Sequence, residues 1–335
     1  MSSPRASKAL PWFRAGPGVA LRALLVVVVA LLSALPAIAC RDDDEAIRDV
    51  RLTSGPFTTL SEVPEGEAPL HFVLTSVLSP DRSTLPFARL SAHLTARLGR
   101  RVVMVRRRTY RELSDLLRNG HADAGIICAG AYAFGREEFG LRMLAVPVMG
   151  GSATYRAYVI ARRGNGQSRL DDFKGRVFAF SDPLSNSGYR HVAATLFARH
   201  TTPDHFFART LFTYSHDNTI SAVRDGIADG GVVDSLVWEH LLREEPRLAD
   251  QVEVIERSGE FPNSPVVASP RVAPELAARL RGVLLDMSED SVGKEILLDL
   301  GISAFINVPE SMFDPIAESW RDLGVLTTPS REPQR

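Results

Sequence analysis

From Pro69 onward the chain alternates short apolar runs with amphipathic stretches, the rhythm of βα units rather than of a sandwich or a helical bundle. The run at 70–74 predicts a first strand, and helical spacing over 85–98, closed by Gly99, predicts a helix. A strand at 101–105, a helix at 110–118 stopped by Asn119-Gly120, and a strand at 122–127 follow, the last entering a small-residue turn at Ala129-Gly130-Ala131. A second series repeats the pattern: strand 177–180, helix 188–199, strand 210–214, helix 218–225, strand 231–234 and helix 235–243.

Two extended segments rich in β-branched and aromatic residues, 154–161 and 252–255, read as paired strands crossing between the two series. A strand at 265–268 and helices at 273–286 and 294–300 then return to the first series. The expected fold is therefore α/β with two lobes, the first discontinuous over 68–155 and 262–325, the second inserted over 156–261, and a tail at 326–335. Two crossings make a hinge, and open α/β sheets take their ligands at the carboxyl ends of the strands.

The N-terminal 67 residues break this pattern. Arg5, Lys8, Arg14 and Arg22 precede an almost unbroken apolar run from Ala23 to Ala39 that ends in small residues, the layout of a secretory signal over 1–39. A single membrane anchor is the alternative, since about 17 apolar residues is the lower limit for a span. Residues 40–67 have linker composition, opening with Arg41-Asp42-Asp43-Asp44-Glu45 and continuing through Gly55-Pro56 and Pro64-Glu65-Gly66. Across the 335 residues, 39 Lys and Arg nearly balance 40 Asp and Glu, which argues against a nucleic-acid partner. Loss of the first 39 residues removes four cations and no anions, taking the net charge from −1 to −5, so any anion must be caught by a specific site.

Three polar turns at predicted strand ends carry candidate chemistry. Phe178-Ala179-Phe180 runs into Ser181-Asp182-Pro183-Leu184-Ser185-Asn186-Ser187-Gly188-Tyr189, a Ser-rich turn that opens a helix and so offers hydroxyls and unpaired N–H groups to an oxyanion. The same residues also suit an ordinary N-cap. One βα unit later come Ser215-His216-Asp217, where His216 would donate to an anion with a charge that responds to it, or would only cap the next helix. Asp234 ends the following strand; beside an anion it requires a shared proton, and otherwise it is a cap. From the first lobe, Thr75, Ser76 and Tyr132 stand where they would close over a ligand, although strand ends favour Thr and Ser, and Tyr132 also suits a core position with Phe134 and Phe139.

Four ordered stretches carry a family resemblance: YRELSDLLRNGHADAGIICAGAY at 110–132, YVIARRGNGQSRLDDFKGRVFAFSDPLSNSGY at 158–189, SHDNTISAVRDGIADGGVVDSLVW at 215–238 and GKEILLDLGISAF at 293–305. With them the chain, from about Leu70 to Pro315, resembles the periplasmic phosphonate, phosphite and phosphate binding proteins of ABC transporters, which have the two-lobed type II periplasmic-binding-protein fold. The resemblance implies capture of a small phosphorus oxyanion by Ser185, Asn186, Ser187 and the adjoining backbone of Gly188 and Tyr189. His216 with Asp217, Asp234, Tyr132 and Thr75 or Ser76 would complete the site, and an ABC permease would be the partner. Where phosphonate binders carry a Glu for a ligand amine, two residues past Asp234, this chain has Leu236, and Asn263 and Ser264 are neutral where some members are acidic, which points away from a cationic ligand. Ala37-Ile38-Ala39-Cys40 likewise looks like a bacterial lipobox, with Ala37 where Leu is usual, which implies a lipid anchor on Cys40 and leaves Cys128 as the single thiol.

Other classes fit less well. Ser215, His216 and Asp217 are consecutive, so on an extended chain they point to alternate faces and cannot form a nucleophile–base–orienter triad. No Gly-x-Ser-x-Gly elbow occurs, His200 and His205 are spaced off one helical face, and Gly164-Asn165-Gly166 lacks the Lys of a phosphate loop. The expectation is a monomeric binding protein, not an enzyme, with no cofactor and no metal. A tethered sensor reporting to a kinase or chemoreceptor shares every one of these features and stays open, and a hydrolase is the remote alternative.

Overall fold

The computed structural model describes residues 68–75 and 84–324. The signal, the linker with Cys40, Ser76 and the C-terminal tail lie outside the described residues.

Two sheets organise the chain. The first holds β1 (Leu70–Leu74), β2 (Val102–Arg106), β3 (Ala124–Ile126), β4 (Arg142–Met149), β10 (Val266–Ala268) and β11 (Ile302–Ile306) in the order β11-β4-β10-β3-β1-β2. The second holds β5 (Thr154–Arg162), β6 (Val177–Phe180), β7 (Arg209–Phe212), β8 (Gly230–Asp234) and β9 (Val252–Pro262) in the order β7-β6-β8-β5-β9. In each sheet the three strands of the βα series run parallel: β1 with β2 and β3, and β6 with β7 and β8. Each series therefore delivers its carboxyl-terminal turns to one end of its own sheet.

The helices between them bury the faces their sequences specify. In α1 (Thr84–Leu98), Leu90, Leu94 and Leu98 form a stripe at four-residue spacing packed on β1. In α2 (Tyr110–Asn119), Thr109 and Glu112 form a reciprocal capping box, Gly120 closes the helix at φ 74°, and Tyr110, Leu113, Ser114 and Leu117 are buried. The second sheet is flanked by α4 (His191–Phe197), α5 (His216–Arg224) and α6 (Ser235–Glu244), and its aromatic core includes Phe178 stacked on Phe207 at 4.4 Å. The helices α7 (Pro274–Asp286), α8 (Ser291–Asp299) and α9 (Asp314–Asp322) follow the return to the first sheet.

Several elements differ from expectation. The small-residue turn at 129–131 is the start of a helix, α3 (Ala129–Phe139), and β4, β11 and α9 were not anticipated. The segments expected to cross between lobes do pair, Thr154 with Pro262 through Arg162 with Val252, but both lie within the second sheet. The crossings themselves are the short links that precede β5 and follow β9. Buried Asn263 ties them together: its Nδ2 donates to the carbonyls of Pro147 (2.9 Å) and Ser152 (3.0 Å), and its backbone N–H to that of Ala153 (2.8 Å).

Candidate functional site

The parallel strands β6, β7 and β8 bring three polar turns together. After β6 the chain enters a π-helical stretch, Asn186–Arg190, whose N-cap Ser185 accepts the Gly188 amide on Oγ at 3.0 Å. A Cβ on Gly188 would sit 1.7 Å from Ser181 Oγ and 2.9 Å from His216 Cε1, so only glycine lets the turn after β6 fold on itself and against the His216 turn. The Asp234 amide donates to His216 Nδ1 at 3.1 Å. Burial drives the His216 pKa down to about 4, so near neutral pH the ring is uncharged, and with Nδ1 accepting, its proton sits on Nε2. His216 is thus a fixed neutral donor, where the sequence suggested a charge responsive to the anion.

Asp234 accepts the Leu236 amide on Oδ1 at 2.8 Å, which caps α6. Burial outweighs that bond and pushes its pKa up to about 7, so near neutral pH it exists in both forms and can carry a proton into the site. Ser181 Oγ and Ser187 Oγ are both buried without a hydrogen-bond partner. A buried hydroxyl left unmatched is costly unless something polar joins it.

The first sheet's side lies directly against this turn. Cys128, the N-cap position of α3, makes no side-chain cap hydrogen bond; it is buried beside the amides of Asn186, Gly130 and Ala131, and burial keeps the thiol pKa raised. A Cβ on Gly130 would lie 2.4 Å from the Leu184 carbonyl oxygen and 2.8 Å from the Asn186 nitrogen, so α3 touches the turn backbone to backbone. Tyr110, first in α2, donates its amide to Asp182 Oδ2 at 3.0 Å, and Asp182 Oδ1 accepts the Leu184 amide at 2.8 Å. The buried hydroxyls of Tyr110 and Tyr155 both feel Asp234 and Cys128, and burial holds both phenols well above their usual pKa, as neutral donors. The first sheet's side and the turn after β6 therefore meet in direct contact, with buried donors gathered around the junction.

The profile of the family described as ABC transporter, phosphonate, periplasmic substrate-binding protein matches residues 72–313. This chain belongs to that family. Its fold is shared with solved binding proteins of low identity. A binding component of an ABC phosphonate transporter from Pseudomonas aeruginosa superposes with a TM-score of 0.70 at 23% identity, covering 76% of this chain and 86% of that one. A Prochlorococcus marinus protein in complex with methylphosphonate gives 0.67 at 19%, covering 77% and 98%. A Xanthomonas citri protein bound to ATP gives 0.64 at 20%, covering 78% and 100%. The α/β type II fold and the role of periplasmic substrate-binding component of an ABC transporter, rather than of an enzyme class, follow from family membership. Among the described residues, no helix is long and apolar enough to cross a membrane.

Within this binding protein the expected site residues divide. Ser185, Ser187, Gly188, His216 and Asp234 converge as described. Asn186 stands among them, but its side chain is committed: Nδ2 donates to the Tyr155 hydroxyl at 3.1 Å and Oδ1 accepts from Arg190 Nε at 2.9 Å. Asp217 is half-buried at the second position of α5, where its charge suits the positive helix end. Thr75, at the end of β1, donates its hydroxyl to the Ile126 carbonyl at 2.8 Å. Two residues face elsewhere. The Tyr189 ring packs on Phe180 and Phe212, and the Tyr132 ring packs edge-on to Phe313 at 4.8 Å, with Glu310 and Arg136 as its electrostatic neighbours. Ser181 belongs to the Ser-rich turn but was not singled out within it, and the neighbouring groups that sequence reasoning missed are Tyr110, Cys128, Tyr155 and Arg190. Only Tyr110 had a local signal, the Thr109-x-x-Glu112 capping box that places it first in a helix after a strand.

Proposed function

We propose that this periplasmic protein captures a small phosphorus oxyanion, namely phosphate, phosphite or a simple phosphonate, between its lobes and presents it to an ABC permease. The observation that carries the reading is the pair of buried, unpartnered hydroxyls, Ser181 and Ser187, beside the Gly188 turn. An oxyanion lodged there accepts from Ser187 Oγ, from free backbone N–H groups of the π-helical start and from His216 Nε2, while Asp234 supplies the shared proton. The lobes are 68–155 with 262–325, and 156–261, and the links around Asn263 are the hinge that closes on the ligand. The protein acts as a monomer without cofactor, tethered through acylated Cys40. Methylphosphonate in the Prochlorococcus marinus structure supports the ligand class, and Leu236 supports the absence of an amine.

The test is calorimetric titration with phosphate, phosphite, methylphosphonate, 2-aminoethylphosphonate and sulfate. Micromolar or tighter binding of one phosphorus anion, about −8 kcal/mol, is expected. Ser187→Ala should weaken it by about 1.5–3 kcal/mol, the worth of a hydrogen bond to a charged group. Binding of sulfate alone, or of none, overturns the reading.

A further inference from the structure

Arg190 ends the π-helical stretch and is 3% exposed. Its Nε bonds Asn186 Oδ1, and its guanidinium carbon lies 5.8 Å from the centre of the Trp320 ring on α9. Nη1 is buried with no hydrogen-bond partner. Burial lowers the pKa only to about 10, so the group stays charged. The carboxylate acting on it is that of Asp322, which is exposed and forms no ion pair with it among the described residues.

A desolvated guanidinium costs several kcal/mol unless a counter-charge joins it. One bond to an amide oxygen and a contact of about 2 kcal/mol with an indole face do not neutralise it. The missing anion has a place to come from, because the guanidinium interacts electrostatically with the buried Tyr155 hydroxyl and Cys128 thiol, which stand at the junction with the Ser-rich turn. Tyr155 stands between the two ends: its hydroxyl accepts from Asn186 Nδ2 and neighbours Ser187. The cation is thus linked through the Asn186 amide and the Tyr155 hydroxyl to Ser187, one of the hydroxyls assigned to the phosphoryl group.

Resting on the oxyanion reading above, we propose that Arg190 forms a second anionic subsite, and that the preferred ligand is a short phosphonate bearing a carboxylate. A carboxylate matches the planar fork of a guanidinium, whereas a ligand ammonium in the same place meets like charge.

The experiment titrates the purified protein, Arg190→Leu and Arg190→Lys with methylphosphonate, phosphonoacetate and 2-aminoethylphosphonate, with thermal unfolding of each variant to show that it is folded. The wild type should bind phosphonoacetate at least about tenfold tighter than methylphosphonate, and 2-aminoethylphosphonate more weakly than either. Arg190→Leu should reduce the phosphonoacetate preference to within about threefold, and Arg190→Lys should keep part of it. Methylphosphonate binding without a carboxylate preference in the wild type overturns the subsite and leaves the oxyanion reading standing. Equal weakening of both ligands in Arg190→Leu also overturns it, since Arg190 would then serve the phosphoryl group or the fold. Failure of the wild type to bind any of the three overturns the subsite, and titration of the same sample with phosphate and phosphite then decides the oxyanion reading by itself.

Discussion

Anion binding by this protein should take up a proton, and Asp234 should be the group that holds it. Its carboxyl is buried at the end of β8 beside His216, and burial raises its pKa to about 7, so the free site is about half protonated at neutral pH. A dianionic ligand tolerates the neutral acid, which donates a hydrogen bond, and is repelled by the carboxylate. Above pH 7 the free site and the free dianion each lack the proton that the complex keeps. Affinity should therefore fall about tenfold per pH unit, about 1.4 kcal/mol, between pH 7.5 and 9. The assay is titration of methylphosphonate across that range in buffers of different ionisation enthalpy, which reports the number of protons taken up. In Asp234→Asn the amide donates without titrating, so the slope should vanish. A flat profile in the wild type, or the same slope in the Asn variant, refutes the role assigned to Asp234.

Two further outcomes test the contacts around the site. In Gly130→Ala the new methyl meets backbone atoms of Leu184 and Asn186 that cannot swing aside, so closure should lose about 1–3 kcal/mol of ligand affinity while the melting temperature holds; an unchanged Kd would refute the closed contact. His216 is a base whose folded pKa is depressed, so its stabilising effect is complete above its unfolded pKa of 6.5 and is lost as pH falls toward 4. Denaturant unfolding should show the wild type losing about 3 kcal/mol more over that interval than His216→Gln, and equal losses would place the charge elsewhere.

What could be read from the chain depended on how locally each element is encoded. The parallel βα units were legible because every one carries its own apolar strand, helical stripe and stop, as in 110–120, where capping box, stripe and Gly120 agree. The start of α3 was not, because the helix is buried on all sides over its first seven residues and so has no polar face to give a period there. β4 was obscured by Pro147, which a strand tolerates only where no amide is required of it. The segments read as crossing strands were recognised as a pair, but the crossings lie in the links beside them, since nothing in a β-branched run says which neighbour it will join.

The site divides along the same line. Ser185, Ser187, His216 and Asp234 were legible because each ends a strand and opens a helix, and parallel strands must bring such ends together. Tyr132 and Tyr189 show where reading by position stops. Sequence position places a residue at the mouth of a sheet without saying which way its ring turns, and both rings turn into aromatic packing. Tyr155 and Arg190 have no local signal, because their roles arise from contacts across the fold: Tyr155 reaches Asn186 from 31 positions away, and Arg190 is held under Trp320 of a helix that begins beyond residue 313. Family membership and strand-end chemistry therefore define the kind of ligand, and the choice among ligands falls to side chains that only the folded arrangement brings together.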